Sequence, residues 1–255
     1  MSWAQLKEFT PARVALGRAG SSLPTRELLD FQWAHARARD AVHAKLDTEA
    51  LALPLQGMAG ECLHARSAAL DRSAYLRRPD LGRRLSLDSH RSLTKRKGQF
   101  DAAFIIVDGL SALAVQRHAA PMLQSILNLL NPADWKLAPV VLIEQGRVAI
   151  GDEIGDCLGS SLSVVFIGER PGLSSPDSLG IYLTWNPRPG LMDANRNCIS
   201  NIRTEGLSYE AAAHTLLFLM TESRRRKLSG VGLKEEGSPP KLSVQRKWSI
   251  TDALS

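Results

Sequence analysis

The chain is poor in aromatic residues. They make up 5% of its 255 positions, which leaves few stacking platforms for single-stranded nucleic acid. Cysteine is nearly absent: Cys62, Cys157 and Cys198 are odd in number, far apart and form no CxxC pair. That argues against a disulfide framework and a zinc site, and for reduced thiols in a cytosol. No apolar run approaches the roughly 18 residues of a membrane helix. The longest runs lie near 102–107 and 139–143, and the opening "MSWAQLKEF" has no apolar signal core. There is no Walker phosphate loop, no GxGxxG after a strand, no GxSxG elbow and no HExxH. The histidines at 35, 43, 64, 90, 118 and 214 show no metal-ligand spacing.

Charge is abundant and uneven. Lys plus Arg number 32 and Asp plus Glu 26, a net of +6. Residues 1–100 hold 17 basic and 10 acidic side chains, a net of +7, and the remainder 15 and 16, a net of −1. A basic stretch attracts nucleic acid, an anionic membrane or an acidic partner protein, and otherwise is a solvated surface. A stand-alone basic nucleic-acid-binding module is therefore one reading. The scarcity of aromatics and the lack of a recognition-helix signature count against it.

The first hundred residues read as helical. Pro24 stands where a helix would begin, and Leu28, Phe31, His35, Ala38, Val42 and Leu46 then recur at spacings of three and four, on one stripe. Residues 71–97 read as exposed turns and short helices. From Asp101 the pattern changes. "AAFIIVD" (102–108), "PVVLIE" (139–144), "SVVFIGE" (163–169) and a weaker "GIYLTW" (180–185) are short apolar runs, as buried parallel strands are. Helical patterns lie between them at 113–130, broken near Pro121, and at 151–158, and a last one at 209–226 follows. The expectation is an α/β fold: a Rossmann-like parallel sheet with flanking helices, preceded by a mainly helical region. The domains expected are 1–100 (basic, helical, partner contacts), 101–233 (ligand-binding α/β domain) and 234–255, a Gly/Ser/Pro/Lys-rich tail without periodicity that is expected to be disordered.

In such sheets ligands bind beyond the carboxyl ends of the strands. That rule nominates Asp108-Gly109, Glu144-Gln145-Gly146, Gly168-Glu169-Arg170 and the loop after Trp185. Polar residues are dense in "GERPGLSSPDSLG" (168–180) and "PRPGLMDANRNCISNIRTEGLSY" (187–209). Each residue alone reads as a cap or turn. Together they suit a large polar ligand.

Six segments, "FTPARVALGRAGSSLPTRELLDF", "AHARARDAVHAKLD", "RPDLGRRL", "VDGLSALAVQRHA", "IGERPGLSSPDSLG" and "RNCISNIRTEGLSY", resemble in that order the small subunit of the ethanolamine ammonia-lyase family. The likeness runs from about Phe9 to Lys234. It implies an adenosylcobalamin-dependent lyase that converts ethanolamine to acetaldehyde and ammonia by a radical route. It also implies a hetero-oligomer in which a large subunit binds the ethanolamine and the small one closes over the cobalamin. A stand-alone cobalamin carrier or sensor is the reading in which that partner is missing. The cofactor contacts implied are Val148, Glu169 and Cys198, with Arg170, Asp177 and Asn197 as weaker candidates. No catalytic residue and no metal ligand are expected here. "DSHRSL" (88–93) has Leu93 where a cobalt-ligating DxHxxG motif has glycine, so His90 is not assigned to cobalt. The location expected is cytoplasmic, with packaging into a bacterial microcompartment left open. Neither nucleic acid nor a membrane is expected as a partner.

Overall fold

The structure is a computed structural model and describes residues 12–234. The tail beyond Lys234 lies outside the described residues. The elements in chain order are α1 (Thr25–His43), α2 (Thr48–Ala59), β1 (Cys62–Arg66), α3 (Arg72–Arg77), α4 (Leu87–Thr94), β2 (Phe100–Val107), α5 (Ala112–Leu127), β3 (Val140–Glu144), α6 (Ile150–Leu158), β4 (Ser160–Gly168), β5 (Leu179–Trp185), β6 (Arg196–Ile202) and α7 (Tyr209–Arg226).

The strands form one sheet in the order β1-β3-β2-β4-β5-β6. A wholly parallel sheet is the expectation, and the structure corrects it. β1, β3, β2 and β4 are parallel, but β5 runs antiparallel to β4 and β6 antiparallel to β5. The connections explain this. Residues 169–178 and 186–195 carry no α-helix and are shorter than the crossover of a dozen or more residues that a parallel neighbour needs. The sheet is therefore mixed, a parallel core extended by an antiparallel meander.

Strands β2, β3 and β4 are buried on both faces, which is why they read as unbroken apolar runs. Phe104, Ile106, Leu142, Val164 and Phe166 pack under α2, α5 and α7. Ile105, Val107, Val141, Ile143, Val165 and Ile167 pack under α6 and Leu93 of α4. On β5 and β6 the first face continues through Ile181, Leu183, Ile199 and Ile202. On the opposite face stand Tyr182 and Cys198, paired in register. Tyr182 leans against the α6-side core, while Cys198 is exposed.

Two helical details differ from expectation. α5 runs through Pro121 unbroken. Pro121 is exposed, so the carbonyl it leaves unpaired one turn earlier can be met by water. The expected stripe is core only at its end, where Leu46 beyond α1 is buried. Ala41 is the buried residue of that helix, and Leu28, Leu29, Phe31 and Trp33 are exposed, Trp33 to 67%. Amphipathic spacing reports a face that seeks cover, not whether this chain supplies it. No helix among the described residues is long and apolar enough to cross a membrane.

Candidate functional site

The loops after β2 and β3 leave the sheet toward opposite faces, one to α5 and the other to α6. That divergence opens a crevice at the carboxyl ends of these neighbouring strands. Asp108 sits at its base, 3% exposed. Its two carboxylate oxygens accept the Gln145 N–H at 2.9 Å and the Gly146 N–H at 3.1 Å. Arg72 lies 3.7 Å away. Burial pushes the Asp108 carboxyl up to about 6, against the pull of those N–H groups and Arg72.

The tethered loop delivers Arg147 and Val148. The Arg147 N–H donates to the Gly82 carbonyl at 2.8 Å, and its guanidinium donates to the Tyr75 carbonyl at 3.0 Å. Arg147 and Arg72 both lie over the Tyr75 ring, each 4.6 Å from its centroid. Such cation–π contacts fix ring and guanidinium together. Burial pushes the Tyr75 phenol up to about 12, so it stays protonated at neutral pH.

β4 ends against the β2–α5 turn. The Leu110 N–H donates to the Gly168 carbonyl at 2.9 Å. A Cβ on Gly168 would drive into the Ser111 and Asp108 carbonyls, so this approach requires glycine. Glu169 follows. Its N–H donates to the Ser178 carbonyl at 2.9 Å, and its carboxylate accepts from the Ser178 hydroxyl and from the Asn201 N–H. Gly180 leaves room for that carboxylate: a Cβ there would come within 2.9 Å of Oε1.

Tyr75, Leu110, Arg147, Val148, Ile167, Gly168, Glu169, Arg170 and Tyr182 line one cleft of about 380 Å³. Val148 and Glu169 both line this cleft. Cys198 does not line the cleft but stands beside it, opposite Tyr182. Partial desolvation raises the Cys198 thiol, and the Tyr182 hydrogen bond opposes this. The thiol is therefore held toward its neutral form, which does not favour a thiolate ligand. A second cleft of about 590 Å³ begins at Ala149 and reaches Met192 and Arg196. On its floor Arg196 pairs with Asp152, both nearly fully buried.

Of the weaker candidates, Arg170 lines the cleft. Asp177 lies behind it, bonded to Arg117 at 2.8 Å. Asn197 is turned to structural use: its amide donates to the Leu233 carbonyl and accepts from the Gly230 N–H, both at 2.7 Å. His90 lies on α4 and not in the cleft lining. Sequence reasoning missed Tyr75, Arg147 and Tyr182. Tyr182 carried a signal, as a large polar-tipped side chain within an apolar strand. Tyr75 carried none, because its place depends on contacts with residues far along the chain.

The family described as ethanolamine ammonia-lyase light chain (EutC) matches residues 1–234. The chain belongs to that family. The ethanolamine ammonia-lyase small subunit of Pseudomonas fluorescens (strain Pf0-1) is 58% identical, over 95% of this chain and 90% of its own. Those of Pseudomonas paraeruginosa and Azotobacter vinelandii are each 57% identical, over 94% of this chain and 89% and 90% of theirs. As a member of the light-chain family, this chain is a subunit of a carbon–nitrogen lyase of ethanolamine catabolism. "Small subunit" implies a hetero-oligomer.

The buried Asp108 gives a prediction for pH. Its folded value lies above its ordinary value of 3.8, so the folded state holds this proton more tightly than the unfolded chain. The associated stability is present below about pH 4 and is lost as pH rises through about 6. Relative to Asp108→Asn, wild-type stability should fall by about 3 kcal/mol across that window. Chemical denaturation of both proteins from pH 4 to 7 reads the difference. A flat or rising difference contradicts the burial-driven shift.

Proposed function

We propose that this light chain closes an adenosylcobalamin site against a large subunit, which binds the ethanolamine. The observation that carries the reading is the meeting of Val148 and Glu169 in one cleft at the strand ends, with Cys198 beside it. The fit is chemical. A corrinoid is a broad apolar ring edged with amides. Val148, Leu110, Ile167 and Tyr182 offer an apolar wall, and Glu169, Arg147 and Arg170 a polar rim. Arg147 Nε is buried with no hydrogen-bond partner, so polar capacity remains beside the cleft. When bound, the cofactor would supply the radical chemistry, and this chain its position and shielding.

This chain's residues bind, orient and exclude water. Val148 and Tyr182 press on the ring. Glu169, anchored by Ser178 and Asn201, accepts from an amide or hydroxyl at its edge. Cys198, small and polarizable, allows close approach beside Tyr182. The two clefts together fall in the range of sites for large ligands, and the large subunit covers the rest. Residues 101–233 carry most of this site, and Tyr75 of the first hundred residues completes its lining.

Residues 1–100 form the partner-contacting region. α1 supports this assignment: Leu28, Leu29, Phe31 and Trp33 are exposed within its first half, and so dense an apolar patch marks an interaction surface. The work is cytoplasmic, with microcompartment packaging as a further possibility of location.

Co-expression with the large subunit tests the reading. The complex should bind adenosylcobalamin and release acetaldehyde, and this chain alone should do neither. Turnover by this chain alone overturns the division of labour. Glu169→Ala should weaken cofactor binding about tenfold, as loss of one hydrogen bond to a charged group does, and leave assembly intact. Unchanged affinity removes Glu169 from the site. Trp33→Glu should do the reverse. Subunit association should weaken about 30-fold, as for an interfacial tryptophan anchor, while the chain's own Tm holds. Undiminished association would show that α1 faces something else.

A further inference from the structure

Glu169 is held at the rim of the cleft by Ser178, the last residue of the loop between β4 and β5. The residues before Ser178 are tied down one after another. The Ser111 hydroxyl, at the start of α5, donates to the Pro176 carbonyl at 2.8 Å. Arg117 of α5 donates to the Asp177 carboxylate at 2.8 Å. His118, the next residue on α5, places Nε2 3.5 Å from the same oxygen. Its Nδ1 meets the Tyr209 hydroxyl of α7 at 2.6 Å. With that hydroxyl donating to Nδ1, Nε2 carries the ring proton and lies near Asp177 at contact distance, without a completed hydrogen bond.

The charges agree with the geometry. Burial alone would raise Asp177, but its bonds with Arg117 and His118 outweigh burial and hold it below the usual carboxylate range. Burial keeps His118 down, with Asp177 opposing, and burial with the Asp177 charge raises the Tyr209 phenol. At neutral pH the group is one carboxylate, one guanidinium, one neutral imidazole and one protonated phenol. His118 is 3% exposed and lines none of the described clefts. Its ring bridges Tyr209 of α7 and Asp177.

We propose that Asp177, clamped by Arg117 and His118, is the positioning residue that sets the Glu169 carboxylate in the cleft through Ser178. The link is covalent from Asp177 to Ser178, then a hydrogen bond from the Ser178 hydroxyl to Glu169 and a second from the Glu169 N–H to the Ser178 carbonyl. Without the clamp, the segment entering the pairing at Leu179 keeps only the Ser111–Pro176 tie to α5, and Ser178 aims Glu169 less firmly. Asp177 itself touches no ligand. This inference rests on the reading that the cleft receives adenosylcobalamin.

A double-mutant cycle on the assembled two-subunit complex tests it, with adenosylcobalamin affinity as the readout. Asp177→Asn should weaken binding about tenfold in the wild-type background, the scale of one lost charge-assisted bond. In a Glu169→Gln background it should cost almost nothing, because the group it positions is already altered. Asp177→Glu, which keeps a carboxylate for Arg117, should restore most of the affinity. Arg117→Gln, on the outer surface of α5, should reproduce the loss if Asp177→Asn proves too unstable to assemble. Losses that add fully in the double mutant, or an Asp177→Asn complex of unchanged affinity, overturn the positioning role. A Glu169→Gln complex that binds the cofactor normally overturns the cleft assignment as well. The effect of Glu169→Gln alone therefore tells the two failures apart.

Discussion

The Asp108 carboxylate holds together the part of the molecule on which everything else depends. It sits at the carboxyl end of β2 and takes the first two N–H groups of the loop after β3. Those strands send their chains to opposite faces of the sheet, so an anchor is needed where they part. Each hydrogen bond to a charged group contributes about 1.5–3 kcal/mol, which offsets part of the cost of keeping a carboxylate out of water. The consequences run outward. The fixed loop places Arg147 on Tyr75 and Val148 on the cleft wall. The same turn, at Leu110 and Ser111, receives the end of β4 and the loop before β5. Both walls of the cleft are thus referred to one buried group.

How much of this was legible depended on burial. β2, β3 and β4 announce themselves because both faces are covered, and α6 and α7 because their apolar stripes are complete. β1 and β6 were missed. "CLHAR" and "RNCISNI" are edge strands with polar residues on the open face, so no apolar run marks them. Their place, at the two ends of the sheet, is fixed by neighbours and not by their own composition. The antiparallel turn of β5 was legible in principle from the shortness of 169–178, but the apolar run outweighed that clue.

The site divides in the same way. Strand-end logic nominated Asp108, Gln145-Gly146 and Glu169 from position alone, and all three regions build the crevice. Val148 and Cys198 came from resemblance, since nothing in an isolated valine or cysteine distinguishes it. Asn197 looked like a ligand-binding amide and proved to fasten the segment around Gly230 and Leu233. Polar density in a loop marks many hydrogen bonds, and a sequence does not say whether they point to a ligand or back to the chain. α1 is the complementary case: its pattern is real, but Leu28, Leu29, Phe31 and Trp33 in its first half stay exposed among the described residues.

The central claim is that the uncovered face of β5–β6 and its neighbouring cleft lie against the cofactor. Cys198 is an exposed thiol on that face, whereas Cys62 and Cys157 are buried, so alkylation reports on one position. The measurement is the alkylation rate of Cys198 in the two-subunit complex, with and without adenosylcobalamin. Strong protection by the cofactor, above any given by the large subunit alone, is the predicted result. An unchanged rate with the cofactor bound would contradict the account.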